Sequence, residues 1–119
     1  LVDPDDRHHQ RAREEARRAT GEGHSILVAS TTLCEAHSLV LRRLGRPAAG
    51  RWLDEMRSGS GHLVPTADDV DDAVSLTHRF TDQPITLFDA VAAVLAERLD
   101  LQVWTYDHHF DVLGAAVWR

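Results

Sequence analysis

The chain has 119 residues, 43% of them hydrophobic and 27% charged, the proportions of a single folded domain rather than of a disordered or fibrous chain. Its net charge of −6 argues against a generic polyanion binder. The single cysteine, Cys34, excludes an internal disulfide framework and fits a reducing cytoplasm. The longest apolar stretch, Ala90 to Ala96, is far short of the ~20 residues of a membrane-spanning helix. Charge is unevenly spread: residues 1–61 carry ten arginines against nine acids, and residues 62–119 three arginines against ten acids. There is no lysine and no asparagine, a bias that GC-rich codon usage accounts for.

In chain order, Asp5 to Ala19 reads as a polar, Arg-rich helix, with Glu14 and Arg18 four apart in the favourable order and Gly21 and Gly23 at its exit. The short apolar run from Ile26 to Ala29 suits a buried strand. Thr32-Leu33-Cys34-Glu35 has the spacing of a capping box and opens a helix that continues through Leu41, with Gly45 as its C-terminal cap. Pro47 suits the first position of a helix over about Ala48 to Met56. A Ser/Gly loop at 58–61 leads to a second strand, His62 to Val64, closed by Pro65. Thr66 caps the next helix, whose buried side is expected to carry Val70, Ala73, Val74, Leu76 and Phe80. Thr86-Leu87-Phe88-Asp89 is a further capping box, opening a helix to about Leu99 that is apolar nearly all round, the pattern of a helix buried between other layers. Leu101 to Thr105 is a third strand, Tyr106 to His109 a polar turn, and Ala115 to Trp118 a last edge strand. Strands alternating with helices predict an α/β domain around a parallel sheet, spanning the whole chain as one unit.

Three acids share one context. Glu35 follows the first strand, Asp89 opens the apolar helix, and Asp107 stands two residues beyond the strand that ends at Thr105. In a parallel sheet all three lie at the carboxyl edge, where ligands gather. The apolar neighbours of Asp89 predict its burial, and a buried carboxylate needs a cation or several donors. Taken singly, each acid has a purely structural explanation: Glu35 and Asp89 as capping-box partners, Asp107 as a turn or cap residue. Taken together, clustered carboxylates repel and ask for a divalent ion, and oxygen ligands favour Mg²⁺ or Mn²⁺.

Other constellations carry less. The pairs His8-His9 and His108-His109 lack the ligand spacing of a zinc site and are expected to point apart on solvated surface. Cys34 and His37 stand at helical spacing, which fits a nucleophile–base pair and equally a buried small residue beside a surface imidazole. The arginines at 7, 11, 13, 17 and 18, joined by 42, 43, 46, 51 and 57, suit phosphate contact or simply solvated helix faces. No Gly-rich phosphate loop is present in the sequence.

Several motifs in order resemble a family. Asp6-Arg7-His8-His9 leading to Ala12, Thr31-Thr32-Leu33-Cys34-Glu35, Pro84-Ile85-Thr86-Leu87-Phe88-Asp89-Ala90 and Thr105-Tyr106-Asp107-His108-His109-Phe110 are together similar to the PIN-domain ribonucleases of the VapC toxin type. That resemblance implies a three-layer α/β/α PIN-like fold with a parallel central sheet and a Mg²⁺- or Mn²⁺-dependent endoribonuclease, the toxin of a type II toxin–antitoxin pair. It implies that Glu35, Asp89 and Asp107 hold the metal, that Thr105 orients a carboxylate or bound water, and that the partners are RNA, a cognate antitoxin and a second copy in a homodimer. The alternative is a non-catalytic module of the same fold that binds RNA or an antitoxin.

One departure stands out. The resembled family opens with an apolar strand ending in an acid, whereas Leu1 and Val2 already adjoin the first helical region, and Asp3, Asp5 and Asp6 follow it. The expectation is a domain without that central strand, with two unpaired strand edges in its place and weakened metal binding.

Overall fold

The computed structural model describes residues 3–105 and 108–118, with side chains from Gln10 onward. Its elements in order are α1 (Asp3–Gly21), β1 (Leu27–Ala29), α2 (Ser30–Leu44), α3 (Arg46–Gly59), β2 (Gly61–Leu63), α4 (Ala67–Arg79), α5 (Leu87–Arg98), β3 (Val103–Trp104), α6 (His109–Val112) and β4 (Val117–Trp118). The strands are parallel, as the alternation with helices predicts, but they form two separate pairs, β1 with β2 and β3 with β4.

The apolar helix α5 is the centre of the domain. Ala90, Val91, Ala93, Leu95 and Ala96 are buried along it. Val91 and Leu95 pack with Ala29 of β1 and Ala73 of α4, and Leu63, Val70, Leu76, Ile85 and Val94 close around them. Small residues at 73 and 90, both fully buried, let α4 and α5 approach closely, since the interaxial distance depends on the side chains at the contact.

One helix entry differs from expectation. α2 begins at Ser30 rather than after Thr32, because β1 runs straight into it: Ala29 is the extended N-cap residue, and no side chain caps the helix. The Thr32–Glu35 capping box therefore does not form, and Glu35 stands in the second turn. At α4, by contrast, Thr66 and Asp69 make both halves of a capping box. Val74 faces outward at 39% exposure, against the buried face expected of it, because the buried side of α4 is narrow and centred on Asp69 and Ala73.

At the far end of α5, Asp100 takes a left-handed φ of 54°, and the Leu101 N–H donates to the Ala96 carbonyl at 2.8 Å. This Schellman-type exit uses one of the few non-glycine residue types that tolerate that conformation, and it feeds the chain directly into β3.

The two strand pairs face each other across a groove of about 490 Å³, walled by Leu27, Val28 and Ala29 on one side and Val103, Trp104 and Thr105 on the other, with Leu95 and Ala96 of α5 among its lining residues. The Gly61 N–H donates to the Ile26 carbonyl and the Val103 N–H to the Ala116 carbonyl. Because peptide groups alternate sides along a strand, those of Leu27, Ala29, Gln102 and Trp104 turn away from β2 and β4. Among the described residues no strand pairs with those edges.

α1 is anchored to β3 and β4 by an aromatic cluster. The Trp104 indole N–H donates to Glu15 at 2.7 Å, Trp104 meets Trp118 edge-to-face at 6.0 Å, and the Arg18 guanidinium lies 4.5 Å from the Trp118 ring centre.

Candidate functional site

The carboxyl end of the groove gathers polar side chains from three elements. Thr32 in the first turn of α2, Asp89 in the first turn of α5 and Thr105 just beyond β3 all line it. For Thr32 and Thr105 the position follows from the local fold, since a parallel strand delivers its carboxyl end to the start of the next helix or loop; Asp89 arrives instead on the first turn of α5, which follows α4 directly. Asp89 is held at its backbone, where its N–H donates to the Thr86 hydroxyl at 3.2 Å. Its side chain is half-buried, not buried as its neighbours suggested. Leu87 and Phe88 are themselves 44% and 40% exposed, so the first turn of α5 projects beyond the core.

Glu35 is half-buried one turn further along α2. Burial, and secondarily the charge of Asp89, pushes its carboxyl above the ordinary glutamate range. The two acids thus share one electrostatic environment although 54 residues of chain separate them. With no capping box at α2, the structural explanation for Glu35 falls away. For Asp89 the Thr86 hydroxyl cap and a shared site with Glu35 coexist. Asp107 lies outside the described residues, and among the described residues no group of three or more His, Cys, Asp and Glu side chains is spaced to hold a metal. Carboxylates nevertheless have the hard oxygen chemistry that Mg²⁺ and Mn²⁺ prefer.

One polar atom on the same helix as Glu35 is unusual. The Thr31 hydroxyl is buried and meets no hydrogen-bond partner among the described residues, one helical turn before Glu35.

The other sequence candidates resolve differently. His108 and His109 do not point apart; their rings lie 4.4 Å from one another, tilted by 42°, because His108 is the N-cap residue of α6 rather than part of its helical body. Cys34 is exposed and His37 half-buried, the reverse of a buried thiol beside a surface imidazole. In the arginine cluster, Arg11 pairs with Glu15 at 3.0 Å and Arg18 packs on Trp118. The side chains of Arg7, His8 and His9 lie outside those described.

The strongest ion pair was not visible in the sequence. Asp69, 1% exposed, accepts from Arg98 Nε at 2.7 Å and Nη2 at 2.8 Å, and also from the Thr66 N–H at 2.8 Å. Arg98, then the Thr66 N–H, lowers its carboxyl to about 2. The only sequence signal was the Thr66-x-x-Asp69 spacing; the partner stands 29 residues away.

Parallel strand pairs alternating with helices, with Asp89, Thr32 and Thr105 lining the groove between them, define the class. Residues 1–116 match the PIN domain, and the chain belongs to that family. Its fold is also that of a solved toxin, VapC20 of Mycobacterium tuberculosis, described as a sarcin–ricin loop cleaving toxin: the TM-score is 0.74 at 20% sequence identity, over 87% of this chain and 82% of that one. No curated protein matches the chain.

Proposed function

We propose that this PIN domain is a metal-dependent endoribonuclease toxin of the VapC type that hydrolyses RNA phosphodiester bonds. The observation that carries this reading is Asp89 lining the groove beside Thr32 and Thr105, with its charge acting on half-buried Glu35 of α2. The likeness in fold to an RNA-cleaving toxin supports RNA as the substrate class. In this reading Glu35 and Asp89 hold Mg²⁺ or Mn²⁺ from two different helices, and Asp107, two residues beyond Thr105 in the sequence, joins them. When bound, the ion supplies a Lewis acid for the phosphodiester and lowers the pKa of water toward neutrality. Thr105, at the same end of the groove, orients a carboxylate or a water by hydrogen bonding. A cognate antitoxin, a homodimeric assembly and a cytoplasmic location complete the proposal; no described helix is long and apolar enough to cross a membrane.

The groove between β1 and β3 is suited to one further parallel strand, and an acid at that strand's carboxyl end would add a ligand to the pair. The test compares RNA cleavage by the 119-residue chain with that of a form extended ahead of Leu1 by roughly ten residues of apolar strand ending in Asp, each with and without Asp89→Asn. The extended form is expected to cleave with Mn²⁺ present, to stop on chelation, and to lose cleavage on Asp89→Asn while staying folded. The chain alone is expected to cleave weakly. Cleavage by the Asp89→Asn variant at the parent rate overturns the metal-site reading. Equal cleavage by the extended form and the chain alone overturns the role given to the further strand. A folded chain that binds RNA without cutting it in either form favours the non-catalytic module.

A further inference from the structure

We infer that Thr31 is a positioning residue for Glu35, its hydroxyl donating to the Glu35 carboxylate when the site holds a divalent cation. The inference rests on the metal reading proposed above and assigns the site a member outside the four residues named there.

A buried hydroxyl without a partner carries a desolvation cost, so folded proteins seldom leave one. Threonines inside helices usually relieve it by donating to the carbonyl four residues back. Here Thr20 donates to the Ala16 carbonyl at 2.9 Å, and Ser38 does the same to Cys34 at 3.0 Å. Thr31 is only the second residue of α2. The residue four before it, Leu27, belongs to extended β1, so that route is closed. Capping is closed too, since Ala29 occupies the N-cap. The hydroxyl is therefore held in reserve at one place: the helix face it shares with Glu35, four residues on.

On a helix, residues four apart lie about 5–6 Å from each other at Cβ, and long side chains lean back toward the N-terminus over the preceding turn. A Glu35 side chain leaning this way comes within reach of Thr31. Among the described residues Thr31 Oγ1 has no partner. A Glu35 that ligates a cation does so as a carboxylate. The hydroxyl then has a charged acceptor within reach, and charge-assisted bonds are the stronger kind. The bond fixes the Glu35 rotamer, as outer-shell partners do for ligating carboxylates elsewhere.

The test uses the full chain and Mn²⁺ alone, with free Mn²⁺ followed by electron paramagnetic resonance and metal-free stability by thermal melting. Thr31→Val keeps the shape and removes the hydroxyl; Thr31→Ser keeps the hydroxyl. Thr31→Val is expected to weaken Mn²⁺ binding roughly tenfold while melting at or above the parent temperature without metal, because it removes an unsatisfied buried group. Thr31→Ser is expected to bind within about twofold of the parent. Should Thr31→Val disturb the fold, Thr31→Ala takes its place with the same expectation for Mn²⁺. Parent-like Mn²⁺ binding by the hydroxyl-free variant overturns the assignment, as does a metal-free melting temperature that falls while Thr31→Ser holds it, since the hydroxyl would then already serve the fold. Glu35→Gln and Asp89→Asn separate the levels. If they lose Mn²⁺ and Thr31→Val does not, only the role of Thr31 fails. If they bind as the parent does, the metal reading fails and takes this inference with it.

Discussion

Arg98 holds Asp69 with two hydrogen bonds, at 2.7 and 2.8 Å, and so ties the last turn of α5 to the first turn of α4. Because α5 also carries Asp89 at its other end, this clamp helps set where the acid pair sits. Asp69→Ala removes the Arg98 partner and one half of the α4 capping box together. It is expected to lower stability by more than Thr66→Ala, which removes a cap worth about 1 kcal/mol. Urea unfolding of the two variants checks the ranking.

The same clamp has a pH signature. Arg98 and the Thr66 N–H lower the Asp69 carboxyl to about 2, against about 3.9 for an unfolded aspartate. A depressed carboxyl contributes stability that is complete above the unfolded value and is lost as pH falls through the folded one. Thermal melting from pH 5 to pH 1.5 is expected to show a loss between about 4 and 2 that is missing in Asp69→Asn.

Glu35 behaves in the opposite sense. Burial and Asp89 raise its carboxyl, so the folded state binds its proton more tightly than the unfolded state does. Its ionisation therefore works against folding as pH rises through the glutamate range and beyond. Without metal, Glu35→Gln is expected to match or exceed the parent's stability at pH 7, by less than about 1 kcal/mol given solvent screening, and to lose that advantage near pH 4. A clear loss of stability at pH 7 would contradict the shared environment of the two acids.

The core and the mouth of the site separate cleanly. Leu95 is 2% exposed inside the central cluster, and Leu87 is 44% exposed beside Asp89. Leu95→Ala is expected to cost about 2–5 kcal/mol, and Leu87→Ala to change stability by no more than about 0.5 kcal/mol. Chemical denaturation of both variants distinguishes them.

What was legible in the sequence was local. The apolar run of α5, the Thr66 and Thr86 caps, and the alternation of strands with helices could all be read because periodicity and capping act over a few residues. The position of Asp89 in the groove, beside Thr105 just beyond β3, agrees with the topological argument that places acids near strand ends. The start of α2 was misread because Thr32-x-x-Glu35 satisfies the capping pattern, while Ala29 at the end of β1 takes the N-cap by running directly into the helix. The apolar neighbours of Asp89 predict its burial, but only Ala90 and Val91 after it are buried, while Leu87 and Phe88 before it point outward. Asp69 with Arg98 could not be read at all, because the pair exists only once α4 packs on α5. The same holds for Thr31, whose isolation depends on where β1 stops and α2 begins.

The central claim is that Glu35 and Asp89 hold a divalent cation, and the most direct test locates one. Crystals of the chain grown with Mn²⁺ and measured at a wavelength where manganese scatters anomalously are expected to show one peak in coordination contact with both carboxylates, with Asp107 as a third ligand, and to lose it in Asp89→Asn. An intact fold with no peak between Glu35 and Asp89 at saturating Mn²⁺, or a peak only at other acids such as Asp71 and Asp72, would contradict the account.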